Sequence, residues 1–74
     1  MNMKTFTSGE LAENDGRDGR PAYVAVDGVV YDVTDIFEYG DHNSHQAGRD
    51  LSAEFHGQHD QSFITKYPVV GKLE

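Results

Sequence analysis

The chain has 74 residues, and a domain of this length buries too little surface to be comfortably stable without further support. It has no cysteine, which excludes disulfide bonds and leaves a metal ion, a bound cofactor or a partner subunit as that support. The 13 acidic and 6 basic residues give a formal net charge of -7, which repels nucleic acid phosphates and anionic membranes and so excludes both as expected partners.

The first predicted element is a short helix near the amino terminus. Thr7 and Glu10 have the spacing of a capping box, in which each side chain accepts a hydrogen bond from the other residue's backbone amide, and Leu11 follows. Residues 14–21 are then dense in turn-forming residue types and end in Pro21. They predict a surface loop after the helix.

A β-hairpin is predicted next. Residues 23–26 and 29–33 are rich in β-branched and aromatic residues and are separated by Asp27-Gly28, the pair that a two-residue hairpin turn favours. After the hairpin, Ile36 and Phe37 lie in a segment that allows only one or two helical turns. We expect both apolar side chains to face a core.

Residues 41–60 differ in composition from the rest of the chain, because they contain all four histidines and no β-branched residue. Within them, Asp50 can cap a helix that carries Leu51 and Phe55 on one face. A second short helix is expected to follow and to end before Pro68. Residues 69–71 then predict a closing strand beside the hairpin.

The histidines form two His-x-x-His pairs, His42 with His45 and His56 with His59. Imidazole is the commonest metal ligand in proteins, so this grouping indicates a metal or a metal-containing cofactor. The spacing allows a zinc site of four imidazoles, although structural zinc sites usually include thiolates, which this chain lacks. The alternative is a haem held between one histidine of each pair.

A haem would supply the apolar core that a chain of this length lacks. Because the chain has no Cys-x-x-Cys-His motif, such a haem would be non-covalent and of the b type (heme b). The residues expected to pack on the porphyrin are all apolar and flank the histidine-rich region: Val33, Ile36, Phe37, Leu51, Phe55 and Phe63.

Short motifs follow one another in a specific order along nearly the whole chain: Val-Tyr-Asp-Val-Thr at 30–34, Gly-Asp-His at 40–42, Ala-Gly-Arg-Asp-Leu-Ser at 47–52, Phe55, His59 and Pro-Val-Val-Gly-Lys-Leu at 68–73. The opening Phe6-Thr7 and the Asp-Gly-Arg-Pro loop at 18–21 extend the match. This series resembles the cytochrome b5-like haem/steroid-binding domain family, and most of all its compact bacterial members.

The resemblance implies a single α+β domain over residues 1–74, in which a small mixed β-sheet and short helices form a haem crevice. It implies that His59 is the second axial ligand of the haem iron. His42 is the expected first ligand and His45 the alternative, because the family's His-Pro-Gly-Gly signature is replaced here by His-Asn-Ser-His at 42–45. His56 is expected to be exposed.

Two axial histidines leave no open position on the iron, which favours outer-sphere electron transfer over catalysis. The chain is therefore expected to be a soluble, cytoplasmic, monomeric electron carrier rather than an enzyme, and its acidic surface fits a redox partner with a basic docking surface. Other relatives of this fold, which resemble progesterone-receptor components, imply a different function. In them a tyrosine holds the haem and the protein binds or carries it; Tyr39 would be that residue here.

Overall fold

The computed structural model describes residues 4–37, 41, 42, 45–58, 64 and 66–74, and for residues 41, 42, 45, 55 and 58 it describes the backbone alone. The elements in chain order are β1 (Lys4–Phe6), α1 (Ser8–Glu13), β2 (Tyr23–Val26), β3 (Val29–Asp32), β4 (Asp41–His42), β5 (His45–Gln46), β6 (Arg49–Asp50), α2 (Ser52–Gln58) and β7 (Val69–Leu73).

A five-stranded mixed sheet organises the described residues, with the strand order β1-β7-β3-β2-β6. The pairs β2–β3 and β3–β7 are antiparallel, whereas β1–β7 and β2–β6 are parallel. This arrangement confirms the predicted α+β class with a small mixed sheet. It also confirms that the closing strand lies beside the hairpin, because β7 pairs with β3.

The hairpin between β2 and β3 forms where the sequence predicts it. Val26 pairs with Val29, and the two turn residues between them, Asp27 and Gly28, have φ angles of 52° and 79°. Positive φ at both positions is the requirement of a type I′ turn, whose twist matches that of the strands. The Asp-Gly pair satisfies this requirement because both residue types tolerate the left-handed region.

Helix α1 begins with the predicted capping box. The Glu10 amide donates to Thr7 Oγ1 at 3.1 Å, and the Thr7 amide donates to Glu10 Oε1 at 2.9 Å. In the loop that follows, residues 17–20 are exposed and the rest are partly buried, and an ion pair between Arg20 and Asp15 joins its two ends at 3.1 Å. Both features agree with the sequence-based expectation.

The sheet separates two groups of buried apolar side chains because alternate residues of each strand point to opposite faces. The large cluster contains Ala22, Val24, Val26, Tyr31, Val33, Phe37, Ala47, Leu51 and Ile64. The small cluster lies on the face that α1 covers and contains Phe6, Leu11, Ala25 and Val30. The hairpin strands contribute to both clusters.

Some elements differ from the predicted ones. Strands β1, β4, β5 and β6 are only two or three residues long, which is too short for an alternating pattern to predict them from the sequence. Helix α2 begins at Ser52, so Leu51 lies before the helix rather than on its face, because the Leu51 amide donates instead to the carbonyl of Ala25 at 2.8 Å. Most of the helix expected before Pro68 lies outside the described residues.

Candidate functional site

The segment after β3 is attached to the start of β2 by a group of hydrogen bonds. Asp32 Oδ1 accepts both the amide (3.0 Å) and the hydroxyl (2.5 Å) of Thr34, and Thr34 Oγ1 accepts the amide of Ala22 at 3.0 Å. We call Asp32, Thr34 and Ala22 the first clamp. Directly after it, the amides of Ile36 and Phe37 donate to the Val33 carbonyl and form a helical turn.

The segment after β6 is attached to the other end of β2 in the same way. Asp50 Oδ1 accepts the amide (3.0 Å) and the hydroxyl (2.5 Å) of Ser52, and Ser52 Oγ accepts the amide of Asp27 at 2.7 Å. We call Asp50, Ser52 and Asp27 the second clamp. Asp50 thus accepts the first amide of α2, as a capping residue would, but it lies one position before the N-cap because the helix begins only at Ser52.

Three of the predicted porphyrin contacts lie together in the large cluster. Val33, Phe37 and Leu51 are 0%, 4% and 4% exposed, and Ile36 packs against the same cluster while keeping part of its surface accessible. The backbone of Phe55 lies in α2, and Phe63 lies outside the described residues. Whether these residues contact a haem stays a prediction.

Ile64 was not selected from the sequence as a site residue, yet it is 1% exposed and belongs to the large cluster. Its burial could have been predicted from the sequence, because Ile64 is the apolar neighbour of Phe63 in the segment expected to be helical. The structure therefore adds Ile64 to the apolar residues that surround the candidate site.

The described histidines occupy two places. His42 and His45, the first-ligand candidates, are directly paired in the β4–β5 ladder. The His56 side chain is about half exposed, as expected, and its Nε2 lies 2.8 Å from Asp27 Oδ1. His59 and Tyr39 lie outside the described residues.

The large cluster consists of apolar and aromatic side chains. No charged or polar residue is buried among the described residues as a whole. Glu54, on α2, is partly buried, and its Oε2 has no hydrogen-bond partner within the described part of the chain. An environment of this kind suits a flat apolar ligand whose polar groups reach solvent at an edge.

A separate pocket of about 290 Å³ lies beside the small cluster. It is lined by Ser8, Leu11, Gly48, Arg49, Asp50 and Leu73. The predicted haem contacts whose side chains are described do not line this pocket, although Asp50 of the second clamp does.

Zinc coordination by four histidines stays a prediction. Among the residues whose side chains are described, no three His, Asp or Glu converge as a metal site would require, but only His56 of the four histidines belongs to that set.

Neither of the described helices is long and apolar enough to cross a bilayer.

The family model for the cytochrome b5-like heme/steroid binding domain matches residues 7–74. The chain belongs to this family. Two solved structures of cytochrome b5 domain proteins superpose on this cytochrome b5-like domain with a TM-score of 0.90. One, from Hadesarchaea, is 42% identical and covers 97% of this chain and 100% of its own; the other, from Methanococcoides burtonii, is 43% identical with 97% and 99% coverage.

Two further proteins are similar at lower sequence identity. An Arabidopsis thaliana protein described as having a cytochrome b5 like fold is 26% identical, with a TM-score of 0.70 and coverage of 97% of this chain and 92% of its own. A Neurospora crassa protein provisionally named as a cytochrome b5 is 31% identical over 70 residues, covering 86% of this chain and 80% of that protein. The fold inferred from the sequence resemblance is therefore confirmed.

Proposed function

We propose that this cytochrome b5-like domain binds a non-covalent b-type haem between two histidines and transfers one electron at a time between protein partners. The observation that carries the proposal is the family match over residues 7–74 in a chain that has histidines on both sides of α2. His59 follows the helix, and His42 and His45 precede it in the β4–β5 ladder.

The residues of the domain fit a haem. Val33, Phe37 and Leu51 are buried together in the large cluster, and Ile36, packed against that cluster, keeps part of its surface accessible. Neutral imidazole is a suitable axial donor for haem iron, and the absence of cysteine from the chain is consistent with non-covalent binding. When bound, the haem supplies the one-electron redox couple.

The role of the polypeptide is to hold the cofactor and to limit its chemistry. Two histidine ligands leave no iron coordination position for oxygen or substrate, so the domain acts as an electron carrier rather than as an enzyme. The net charge of -7 favours docking to a partner with a basic surface, because opposite potentials accelerate encounter.

The test is an absorption spectrum of the protein after addition of haemin, recorded in both oxidation states. We expect a low-spin spectrum in the wild-type protein. His59→Ala should lose it and lower haem affinity by more than about 100-fold, because loss of a direct ligand exceeds the 10–100-fold cost typical of second-shell changes. His56→Ala is the matched control, since His56 is exposed and contacts Asp27.

Three results would contradict the proposal. A His59→Ala variant with an unchanged low-spin spectrum would exclude His59 as a ligand. A high-spin spectrum lost on Tyr39→Phe would support a haem carrier without electron transfer. A colourless protein that contains zinc by elemental analysis would support the four-histidine zinc site.

A further inference from the structure

Strand β2 connects the two segments that carry the predicted haem contacts, and its two ends are held by equivalent side chains. We propose that Thr34 and Ser52 are positioning residues that fix the separation of these segments, and thereby the geometry of haem binding. The inference deepens the proposed function and rests on it. Neither hydroxyl is assigned to contact the haem.

The two clamps match bond for bond. In each, an aspartate accepts the amide and the hydroxyl of the residue two positions later, at 3.0 and 2.5 Å in both cases. The hydroxyl oxygen in turn accepts a hydrogen bond from the amide of a residue next to β2. That residue is Ala22 in the first clamp and Asp27 in the second. A hydroxyl is needed because it donates and accepts at once.

Each clamp also presents one buried apolar residue to the large cluster. Val33 lies between Asp32 and Thr34, and its amide donates to the Ala22 carbonyl at 2.8 Å. Leu51 lies between Asp50 and Ser52, and its amide donates to the Ala25 carbonyl, also at 2.8 Å.

The two clamped amides, those of Ala22 and Asp27, are five residues apart. At about 3.3 Å per residue, β2 holds them about 17 Å apart, so a rigid strand sets the spacing of the two segments.

Loss of the Thr34 hydroxyl from the first clamp should affect haem binding more than loss of the Ser52 hydroxyl from the second. Ala22 is fully buried, so without the Thr34 hydroxyl its amide has no water to replace the lost acceptor. Asp27 is exposed, and water can take the place of the Ser52 hydroxyl. The effects of the two hydroxyls on haem binding are therefore expected to differ in size.

The experiment compares Thr34→Val with Thr34→Ser, and Ser52→Ala with Ser52→Thr, in the haem-loaded protein. We measure haem dissociation by transfer to excess apomyoglobin, and the ligand field by the g-values of the ferric haem. We expect Thr34→Val to accelerate dissociation about 10-fold and to shift the g-values, and Ser52→Ala to act in the same direction by about 2-fold to 3-fold. Thr34→Ser and Ser52→Thr should restore wild-type behaviour.

Thr7→Ala separates positioning from loss of stability, because it removes the cap of α1 on the opposite face of the sheet. It should lower the urea midpoint without shifting the g-values. If Thr7→Ala and Thr34→Val change dissociation and g-values equally at equal stability loss, or if Thr34→Ser fails to restore them, the positioning role is wrong. If the wild-type protein binds no haem, the proposed function itself fails. This result is distinct from the failure of the positioning role, in which the wild-type protein still binds haem.

The haem-free protein gives an independent readout. In the first clamp, loss of the hydroxyl should accelerate hydrogen exchange at the amides of Ile36 and Phe37, which donate to the Val33 carbonyl. The amides of α1 should be unaffected. Equal acceleration in both places would indicate global destabilisation and would overturn the inference.

Discussion

At the scale of single residues, Gly48 is the position where the chain packs against helix α1 just before β6. Its φ is 82°, and its amide donates to the Tyr23 carbonyl at 2.6 Å. A Cβ atom there would lie 3.2 Å from the Ala12 carbonyl oxygen and 3.3 Å from that of Leu11. Both the backbone conformation and the close approach therefore require glycine.

Gly48→Ala should lower the free energy of unfolding by about 2–4 kcal/mol, because the left-handed conformation costs an alanine about 1–2 kcal/mol and the contact with α1 adds to it. Gly19→Ala is the matched control: its φ is 81°, but a Cβ there meets nothing within 4 Å. Urea unfolding measures both variants. Equal losses would mean that the contact with α1 carries no energetic cost.

The choice of the first axial ligand is the second residue-scale question, because the backbones of His42 and His45 pair directly in one ladder. The family resemblance assigns the haem-facing position to His42, so His42→Ala should perturb the haem spectrum far more than His45→Ala. Opposed residues of an antiparallel pair lie only about 4.5–5.5 Å apart, so one imidazole could replace the other as a ligand. The double variant should lose low-spin haem entirely. A larger effect from His45→Ala would reverse the assignment.

At the scale of elements, the capping box makes the stability of the N-terminus of α1 dependent on pH. The pKa of Glu10 is lowered from its ordinary value of 4.5, mainly because its carboxylate accepts the Thr7 amide and then because of its bond with the Thr7 side chain. Desolvation of the carboxyl opposes this shift by raising the pKa, and nearby Lys4 lowers it by a lesser amount. The charged form of Glu10 is thus favoured in the folded protein.

Since the folded pKa is lower than the unfolded one, the stability that Glu10 contributes is present above pH 4.5 and is lost as the pH falls through the folded pKa. We expect Glu10→Gln to be less stable than the wild type at pH 7 and the difference to shrink below pH 4.5. Urea unfolding from pH 7 to pH 3 checks this. Glu13→Gln, on the same helix but outside the box, corrects for the loss of one negative charge.

At the scale of the whole molecule, the stability of the β2–β3 hairpin and that of α2 are expected to depend differently on a bound cofactor. The hairpin strands β2 and β3 each have sheet neighbours on both sides, and their side chains fill both clusters. The described link between α2 and the sheet runs through β6, the second clamp and the contact of His56 with Asp27.

If haem binds only the folded state, it adds about 4 kcal/mol of stability at 1,000 times its dissociation constant. That is a large share of the stability of a small domain. We therefore expect the hairpin amides to exchange slowly with or without haem, whereas those of α2 and the β4–β5 ladder exchange much faster without it. Hydrogen exchange on both forms is the measurement. Equal protection of α2 in the two forms would show that the haem site is preformed.

The amino-acid sequence by itself determined the features that depend on neighbouring residues. The Asp27-Gly28 turn, the Thr7–Glu10 capping box and the acceptor role of Asp50 each involve groups within four residues of one another, so the residue types alone specify them. The order of motifs also identified the family. The ligand roles of His42 and His59 and the contacts of Phe55 and Phe63 stay predictions.

Only the tertiary structure decided which distant segments meet. Strands β1 and β6 exist because β7 and β2 supply their hydrogen bonds, and Ile64 is buried because the large cluster lies next to it. The hydroxyls of Thr34 and Ser52 reach amides 12 and 25 residues away. Such contacts leave no periodic pattern in the sequence, because the partner that stabilises each short segment is chosen by packing across the sheet rather than by local conformational preference.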